Sequence, residues 1–260
     1  MCKVFVITNR KGGCGKSVTA ENLGVGLARH GKKTLLIDAD NQHSLTVSMG
    51  VTKPDKLTVT LSTIISDTIE KKDFEPTAGI IHHEEGVDIL PANDSLTGME
   101  LTLAPLMGRE IIMRKYINKV KPLYDFILLD TCPTLDILTI NALAAADSAL
   151  IPVTPKFLDA KGLELLLKSI ANIREDINPN ISICGILLTM VESRTNFSKS
   201  IINVINEAYG EEIHIFKDYI PRSVRAAEAS ATGKSIFTHD PNGQVAMAYN
   251  ALAKAVIENA

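Results

Sequence analysis

Residues 4–17 read Val4-Phe5-Val6-Ile7-Thr8-Asn9-Arg10-Lys11-Gly12-Gly13-Cys14-Gly15-Lys16-Ser17, an apolar run followed by a glycine-rich segment. The apolar run predicts a buried strand, and the residues after Ser17 are typical of a helix. Glycines let backbone N–H groups turn toward a phosphate, where a Cβ atom would block the approach. Lys16 supplies a charge for the β- and γ-phosphates, the Ser17 hydroxyl can ligate Mg²⁺, and the helix adds its positive N-terminal end. The stretch therefore predicts a phosphate-binding loop between a strand and a helix.

The loop departs from the usual G-x-x-x-x-G-K-[ST] pattern. Arg10 stands where the first glycine belongs, and a second lysine, Lys11, directly precedes two glycines. Two interpretations of Lys11 are open from the residues alone. It is a surface cation, or it points across to a nucleotide that a second copy of the chain holds.

Bulk composition narrows the class of protein. The 260 residues can bury a full core, as one α/β domain or as two smaller ones. The net charge of −3 does not argue for nucleic acid, so any such contact needs a local patch. No C-x-x-C pair, signal peptide or membrane-spanning apolar run is visible, which predicts a reduced, cytoplasmic protein without stable membrane association. The cysteines are Cys2, Cys14, Cys132 and Cys184.

Apolar segments alternate with helix-like segments along the chain. Continuous runs rich in β-branched residues predict strands that are covered on both faces, at 3–8, 34–38, 126–130, 149–153 and 183–190. The segments between them predict helices at 17–30, 135–146, 163–174, 198–209 and 244–259. This alternation predicts an α/β fold with a doubly wound, mostly parallel sheet and helices on both faces. Residues 51–110 show the least regular pattern.

Two aspartates follow the second predicted strand. Asp38 and Asp40 leave the carboxyl end of a buried strand, where α/β sheets place their ligands. Because they are two residues apart in extended chain, both can face the same side. One could hold Mg²⁺ through water while the other orients an attacking water. An N-cap for the next helix is the alternative for either residue.

A third aspartate ends the strand Phe126-Ile127-Leu128-Leu129-Asp130. Four apolar residues and then an aspartate form the Walker B pattern, whose carboxylate reaches Mg²⁺ at the sheet edge. Thr131-Cys132-Pro133 follows, and we predict that it senses the γ-phosphate. Cys132 is interpreted as a small residue in a tight turn, with a metal or cluster ligand as the alternative.

These motifs together resemble the ParA/MinD superfamily of deviant Walker ATPases. The resemblance lies in the loop with Lys11, in Asp38-Ala39-Asp40, and in residues 125–130 followed by 138–143. The segment Pro221-Arg222-Ser223-Val224-Arg225 with Gly233-Lys234 is similar to the ParA (Soj-like) branch, as is 187–190 with 194–196. The resemblance runs through nearly the whole chain and is weakest at 51–110.

The resemblance implies a DNA-partitioning ATPase in which two ATP-bound protomers enclose two nucleotides. It implies catalytic roles for Lys11, which crosses to the partner's phosphates, for Lys16, and for Asp40. It implies metal positions at Ser17, Asp38 and Asp130. It further implies an ATP and Mg²⁺ requirement, a homodimer when ATP is bound, non-specific binding of double-stranded DNA, a ParB-type partner, and a place on the nucleoid. The residues implied to hold the nucleotide are Lys11, Gly12, Gly13, Cys14, Gly15, Lys16, Ser17, Val18, Met190 and Pro221.

The chain also departs from this family. Asn41-Gln42-His43 stands where the family usually has Pro-Gln-Gly, which places the local turn and the hydrolysis rate in question. Cys14 replaces the more usual valine. We expect one ATPase domain over residues 1–260, without the N-terminal helix-turn-helix extension of larger relatives.

The residues alone give modest support for a DNA surface. Residues 214–234 hold Lys217, Arg222, Arg225 and Lys234 against Asp218 and Glu228, a surplus of two positive charges (four minus two). Arginine suits phosphate because its planar fork binds two oxygens, and phosphate contacts carry no sequence information. Solvated side chains are the alternative. The DNA contacts selected by the resemblance are Arg194, Arg222, Arg225, Lys217 and Lys199.

Two other functions remain open. A MinD-like membrane-positioning ATPase would need a basic amphipathic C-terminal helix, and residues 249–260 carry one lysine, one glutamate and many alanines. An iron–sulfur-carrier ATPase would need paired cysteines after the Walker B strand, where Cys132 and Cys184 lie far apart.

Overall fold

A seven-stranded sheet organises the chain in this computed structural model, which describes residues 1–259, except for the side chains of residues 157–161. The strands are β1 (Lys3–Ile7), β2 (Thr34–Ala39), β3 (Ile81–His82), β4 (Asp88–Leu90), β5 (Phe126–Thr131), β6 (Ser148–Val153) and β7 (Ser182–Leu188). Their order across the sheet is β3-β4-β2-β5-β1-β6-β7. The β3–β4 pair is antiparallel and the other pairs are parallel, which confirms the predicted doubly wound, mostly parallel sheet.

Helices cover both faces of this sheet. They are α1 (Lys16–Arg29), α2 (Ser44–Ser48), α3 (Leu61–Ile69), α4 (Met99–Leu103), α5 (Ile112–Val120), α6 (Ile137–Ala145), α7 (Phe157–Asp176), α8 (Asn196–Tyr209), α9 (Val224–Ala231), α10 (Ile236–His239) and α11 (Gln244–Glu258). Short 3₁₀ turns occur at Pro54–Lys56, Asp94–Gly98, Arg109–Ile111 and Lys121–Leu123. None of the helices in the described part of the chain combines the length and apolar character that a bilayer crossing requires.

The core divides into two layers, one on each face of the sheet. Successive residues of β1 alternate between them: Val4 and Val6 pack in one cluster, and Phe5 and Ile7 pack in the other. All four side chains are buried, so this strand has no solvent face. A strand covered on both sides needs apolar residues at every position, which is why the run is continuous rather than alternating.

The predicted elements lie close to the observed ones, with one large difference in length. The helix predicted at 163–174 extends over Phe157–Asp176. In residues 51–110, where the pattern is least regular, the chain forms α3, α4, the edge strand β3 and its neighbour β4. Those strands have two and three residues, too few to show a periodic signal.

Candidate functional site

The glycine-rich loop lies between β1 and α1, as the sequence predicted. Gly13 and Gly15 have φ values of 70° and 85°, in the left-handed region that favours glycine. Lys16 begins α1 with only 6% of its surface exposed, and its Nζ donates to the Lys11 carbonyl at 3.4 Å. The loop backbone therefore holds the Lys16 ammonium among the N–H groups that would surround a phosphate.

Two residues that the sequence did not single out hold this loop in place. The Asn9 amide donates to the Pro152 carbonyl at 2.6 Å, and its oxygen accepts from the Lys11 N–H at 3.0 Å. The Thr189 hydroxyl, just after β7, donates to the Cys14 carbonyl at 2.8 Å. A polar residue between a buried strand and the first glycine was the available signal for Asn9. Thr189 lies in the segment 187–190 named by the resemblance, but nothing in the sequence predicted this contact, because its partner is distant in sequence.

Three buried carboxylates meet at the carboxyl edge of the sheet. Asp38 on β2 is in register with Asp130 on β5, and neither has measurable exposure. Asp40 follows β2 and is 6% exposed. Burial, and then the charge of Asp38, raise the pKa of Asp130 well above its ordinary value, against the opposing effects of the Ser17 hydroxyl and the Lys16 charge. The structure thus brings together the sequence-predicted metal and catalytic residues of this edge.

The structure distinguishes the two candidate metal carboxylates by their hydrogen bonds. Asp38 Oδ2 accepts from the Thr46 N–H at 2.8 Å and its hydroxyl at 2.6 Å, and Oδ1 accepts from the Asp40 N–H at 3.1 Å. Both Asp130 oxygens are buried, and neither accepts a hydrogen bond of ordinary geometry from the described residues. Burial raises the pKa of Asp38 to about 6, against the opposing effect of the Thr46 bonds.

A divalent cation fits this arrangement. An unpaired buried carboxylate is costly, and Mg²⁺ binds through one or two carboxylates while keeping several waters. Asp130 and Ser17 are the residues best placed to hold it directly. Asp38, with both oxygens already bonded, is suited to contact through water, and Asp40 is oriented by the Gln42 N–H, which donates to its Oδ1 at 2.9 Å.

The segment after Asp130 touches the phosphate-binding loop. A Cβ placed on Gly12 would lie 4.0 Å from Pro133 Cγ, in ordinary contact. The Cys132 thiol donates to Asp136 Oδ2 at 2.8 Å, while Asp136 Oδ1 accepts from the Thr139 N–H and caps α6. Cys132 therefore serves the turn that leads into α6, in line with its interpretation as a small turn residue.

Met190 and Pro221 lie next to each other at a second edge of the site. Val191, the neighbour of Met190, donates to the Ile220 carbonyl at 3.0 Å, and its own carbonyl accepts from Arg222 at 3.2 Å. A Cβ on Gly15 would lie 3.7 Å from the Met190 side chain. Met190 therefore lies at the phosphate-binding loop, and the bridge places Pro221 beside Val191, the neighbour of Met190.

Of the five predicted DNA-contact residues, the structure brings two into one cavity. Arg194 and Arg222 line a single cavity of about 730 Å³, which is bordered by the first residues of α8 and α9. Arg222 forms an ion pair with Glu192, and Arg225 NH1 lies 3.7 Å from Glu228 Oε2. The Glu192 carboxylate comes from outside the segment whose charges the sequence analysis counted. Lys199 lies on α8, and Lys217 lines a smaller cavity that also contacts Pro221.

Comparison with known proteins bears on this geometry. A sequence profile for the AAA_31 family, described as an AAA domain, matches residues 2–183. The sporulation initiation inhibitor protein Soj of Bacillus subtilis is 37% identical over 259 residues, with full coverage of both chains. The chain belongs to the AAA_31 family and to the Soj/ParA group of proteins. The chromosome partitioning protein ParA of Caulobacter vibrioides, also similar, is 33% identical over 257 residues, covering 98% of this chain and 94% of that one.

A solved structure shares the fold across the whole chain. The Mycobacterium smegmatis protein described as cobyrinic acid a,c-diamide synthase, with bound ADP and magnesium, superposes with a TM-score of 0.87. It is 30% identical, and the match covers all of this chain and 95% of that one. The sequence identity to Soj and ParA agrees with the resemblance found in the motifs, and by family the chain is a partitioning-type ATPase.

Proposed function

We propose that the protein is an ATP-switched partitioning ATPase that closes as a homodimer on two ATP molecules and retains duplex DNA in that state. The observation that carries this proposal is the meeting of Lys16, Ser17, Asp40 and Asp130 at one sheet edge beside a glycine loop. A ParB-type partner would stimulate hydrolysis, and hydrolysis would then release the DNA. These binding states and partners go beyond the family assignment.

The site residues divide the work of hydrolysis. Mg²⁺, held by Ser17 and Asp130 with Asp38 behind a water, would supply charge neutralisation at the phosphates. Lys16 binds the β- and γ-phosphates, with its stem buried and its ammonium over the loop. Asp40 orients the attacking water and accepts its proton, because its carboxylate is fixed by the Gln42 N–H.

Lys11 is proposed to act in trans. Its side chain is exposed, whereas the Lys16 side chain is buried. An exposed cation beside the phosphate loop can reach a nucleotide in a facing copy, in the manner of an arginine finger. A charge delivered by the partner makes hydrolysis depend on dimerisation.

The surface of Arg194, Arg222 and Arg225 is proposed to hold DNA phosphates. The cavity shared by Arg194 and Arg222 borders the starts of two helices, whose N–H groups and dipoles favour anions. Arginine side chains and helix starts bind phosphate without reading bases, so the contact would be non-specific. The carboxylates Glu192 and Glu228 would have to exchange their arginine partners for phosphate.

The MinD-like alternative receives little support from α11. Val245, Tyr249, Leu252 and Val256 are buried, in the core layer that also contains Leu23 and Leu27 of α1. An interfacial helix needs its apolar face for lipid. In this fold, that face is used for packing.

Retention of duplex DNA under different nucleotides tests the proposal. Protein is sedimented with a long DNA fragment in the presence of ADP, ATP, or a slowly hydrolysed ATP analogue. We expect retention with the analogue, weaker retention with ATP and none with ADP. Equal retention under all three conditions would exclude a nucleotide switch.

Lys11→Ala separates action in trans from action in cis. We expect dimerisation with the ATP analogue and hydrolysis to fall while ADP affinity stays at the wild-type value. Mixing Lys11→Ala with Asp40→Ala should then restore part of the activity, because each composite site combines residues from two chains. A fall in ADP affinity equal to that of Lys16→Ala would place Lys11 in its own site.

A further inference from the structure

A second buried carboxyl group lies outside the nucleotide site. Glu21, one turn along α1 from Ser17, has no measurable exposure. Its Oε2 accepts from the Ser230 hydroxyl at 3.3 Å, and its buried Oε1 has no hydrogen-bond partner among the described residues. A buried ionised carboxylate with so few donors is unstable, so the neutral form is favoured.

The charges around Glu21 point the same way. Glu85, in the loop between β3 and β4, raises its pKa by repulsion, and Tyr249 of α11 is an uncharged neighbour. Glu85 has its own donors, the N–H and hydroxyl of Ser235. On α9 itself, the charged side chains of Arg225 and Glu228 are at least half exposed. Burial, the largest cause, raises the pKa of Glu21 to about 8.

Helix α9 has little buried surface. Ala229 is its one buried residue, and the Ser230–Glu21 hydrogen bond adds to the contacts that α9 makes with α2 and α10. The turns that follow α9 and α2 also touch, since a Cβ on Gly233 would lie 2.8 Å from the Gly50 Cα. Ser48 of α2 also lies beside Glu21, although its hydroxyl donates to the Leu45 carbonyl at 3.0 Å. A helix with so little buried surface is expected to open locally before the rest of the fold.

We propose that protonation of Glu21 controls how firmly α9 is attached to the fold. Protonated Glu21 holds α9 against α1 and α2. When Glu21 loses its proton, α9 loosens and duplex DNA is retained less well. The neutral carboxyl keeps its hydrogen bond from the Ser230 hydroxyl and buries no charge. The ionised form lacks compensating donors and is solvated only if α9 moves and admits water. The DNA half of this inference rests on the proposed function, because α9 carries Arg225.

Hydrogen exchange of the α9 amides tests, without DNA, whether protonation of Glu21 controls the attachment of α9. The protein with ADP is compared from pH 6 to pH 9, and rates are corrected for the intrinsic pH dependence of exchange. A single proton lost on opening lowers protection by up to about tenfold per pH unit until the pKa of the closed state is passed. We expect wild-type protection of residues 224–231 to fall until about pH 8 and then level off, and Glu21→Gln to be flat.

Two controls exclude other groups. His239 Nε2 lies 3.4 Å from Glu228 Oε2 of α9, so His239→Gln must keep the wild-type profile if Glu21 is the group responsible. Ser230→Ala should lower α9 protection at every pH while α6 protection is unchanged. A Glu21→Gln profile parallel to wild type, or a flat His239→Gln profile, overturns the proposal.

DNA retention with the ATP analogue tests the second half. Wild type should lose more retention than Glu21→Gln between pH 6.5 and pH 8.5, at constant salt. Equal losses in the two proteins would overturn the link to DNA even if the exchange profiles differ. If wild type retained no DNA at any pH, that result would count against the proposed function. The exchange profiles would still decide whether Glu21 protonation controls the attachment of α9.

Discussion

The nucleotide edge and the arginine surface of this protein are built in opposite ways. At the edge, Asp38 and Asp130 are fully buried and Asp38 is fixed by backbone and hydroxyl donors. On the arginine surface, the Arg222 and Arg225 side chains are 72% and 64% exposed and pair with neighbouring carboxylates. Buried groups lack water as an alternative partner, whereas exposed ion pairs contribute little. Substitutions should therefore act sharply at the edge and gradually, with salt dependence, on the surface.

Asp40→Ala gives the largest expected effect and tests the buried nucleotide site at the carboxyl edge of the sheet. Hydrolysis should fall about 10²–10⁴-fold, the range for loss of a general base, while ATP affinity is kept. Phosphate release and binding of a fluorescent ATP measure the two quantities, with the exposed Asp73→Ala as a matched control. Wild-type turnover by the variant would remove Asp40 from the reaction.

Lys16→Ala should lower ATP affinity by about 10–100-fold, because a charge-assisted hydrogen bond contributes about 1.5–3 kcal/mol. Titration with fluorescent ATP measures this, and Lys33→Ala, an exposed lysine before β2, serves as the control. The loss should persist at high salt, since the ammonium is buried. An affinity equal to wild type would refute the phosphate-loop assignment.

Arg225→Glu tests the exposed arginine surface, where we expect a smaller effect that depends on salt. Binding of all DNA sequences should weaken alike, and the log–log slope against salt should flatten by about 0.9 for each phosphate that the variant no longer neutralises. ATP affinity should not change. The exposed Lys72→Glu, far along the chain after α3, controls for net charge. A loss confined to one DNA sequence, or an unchanged slope, would show that this surface does not contact the phosphate backbone.

Glu21→Gln changes a buried group that lies outside both regions, and we expect it to change how the free energy of unfolding depends on pH. The folded state keeps this proton up to about pH 8, while an unfolded chain releases it near pH 4.5. The folded state therefore binds more protons between these values, and wild-type stability falls as pH rises through that window. The variant should gain on the order of 1–2 kcal/mol relative to wild type at pH 8.5, roughly 2–8 °C in Tm, and little at pH 5. A difference between the two proteins that is independent of pH would contradict the raised pKa.

Much of the fold was predictable because its signals are local. Continuous apolar runs marked β1, β2, β5, β6 and β7 to within two residues at each end. The strands β3 and β4 were missed because two or three residues carry no period, and tertiary pairing creates them, of β4 with β2 and of β3 with β4. Helix α7 was predicted too short at both ends, as periodicity alone does not mark where a helix begins.

The candidate site divides along the same line. The spacing of Lys16, Ser17, Asp40 and Asp130 could be read from the sequence, because each follows a predicted strand or begins a predicted helix. Tertiary structure alone decided that both oxygens of Asp38 are bonded while those of Asp130 are not, since Thr46 reaches Asp38 through the turn into α2. It also decided that Glu21 is buried and that Glu192 pairs with Arg222. Hydrophobic pattern and loop chemistry are properties of neighbouring residues, whereas burial and hydrogen-bond partners depend on which distant segments the fold brings together.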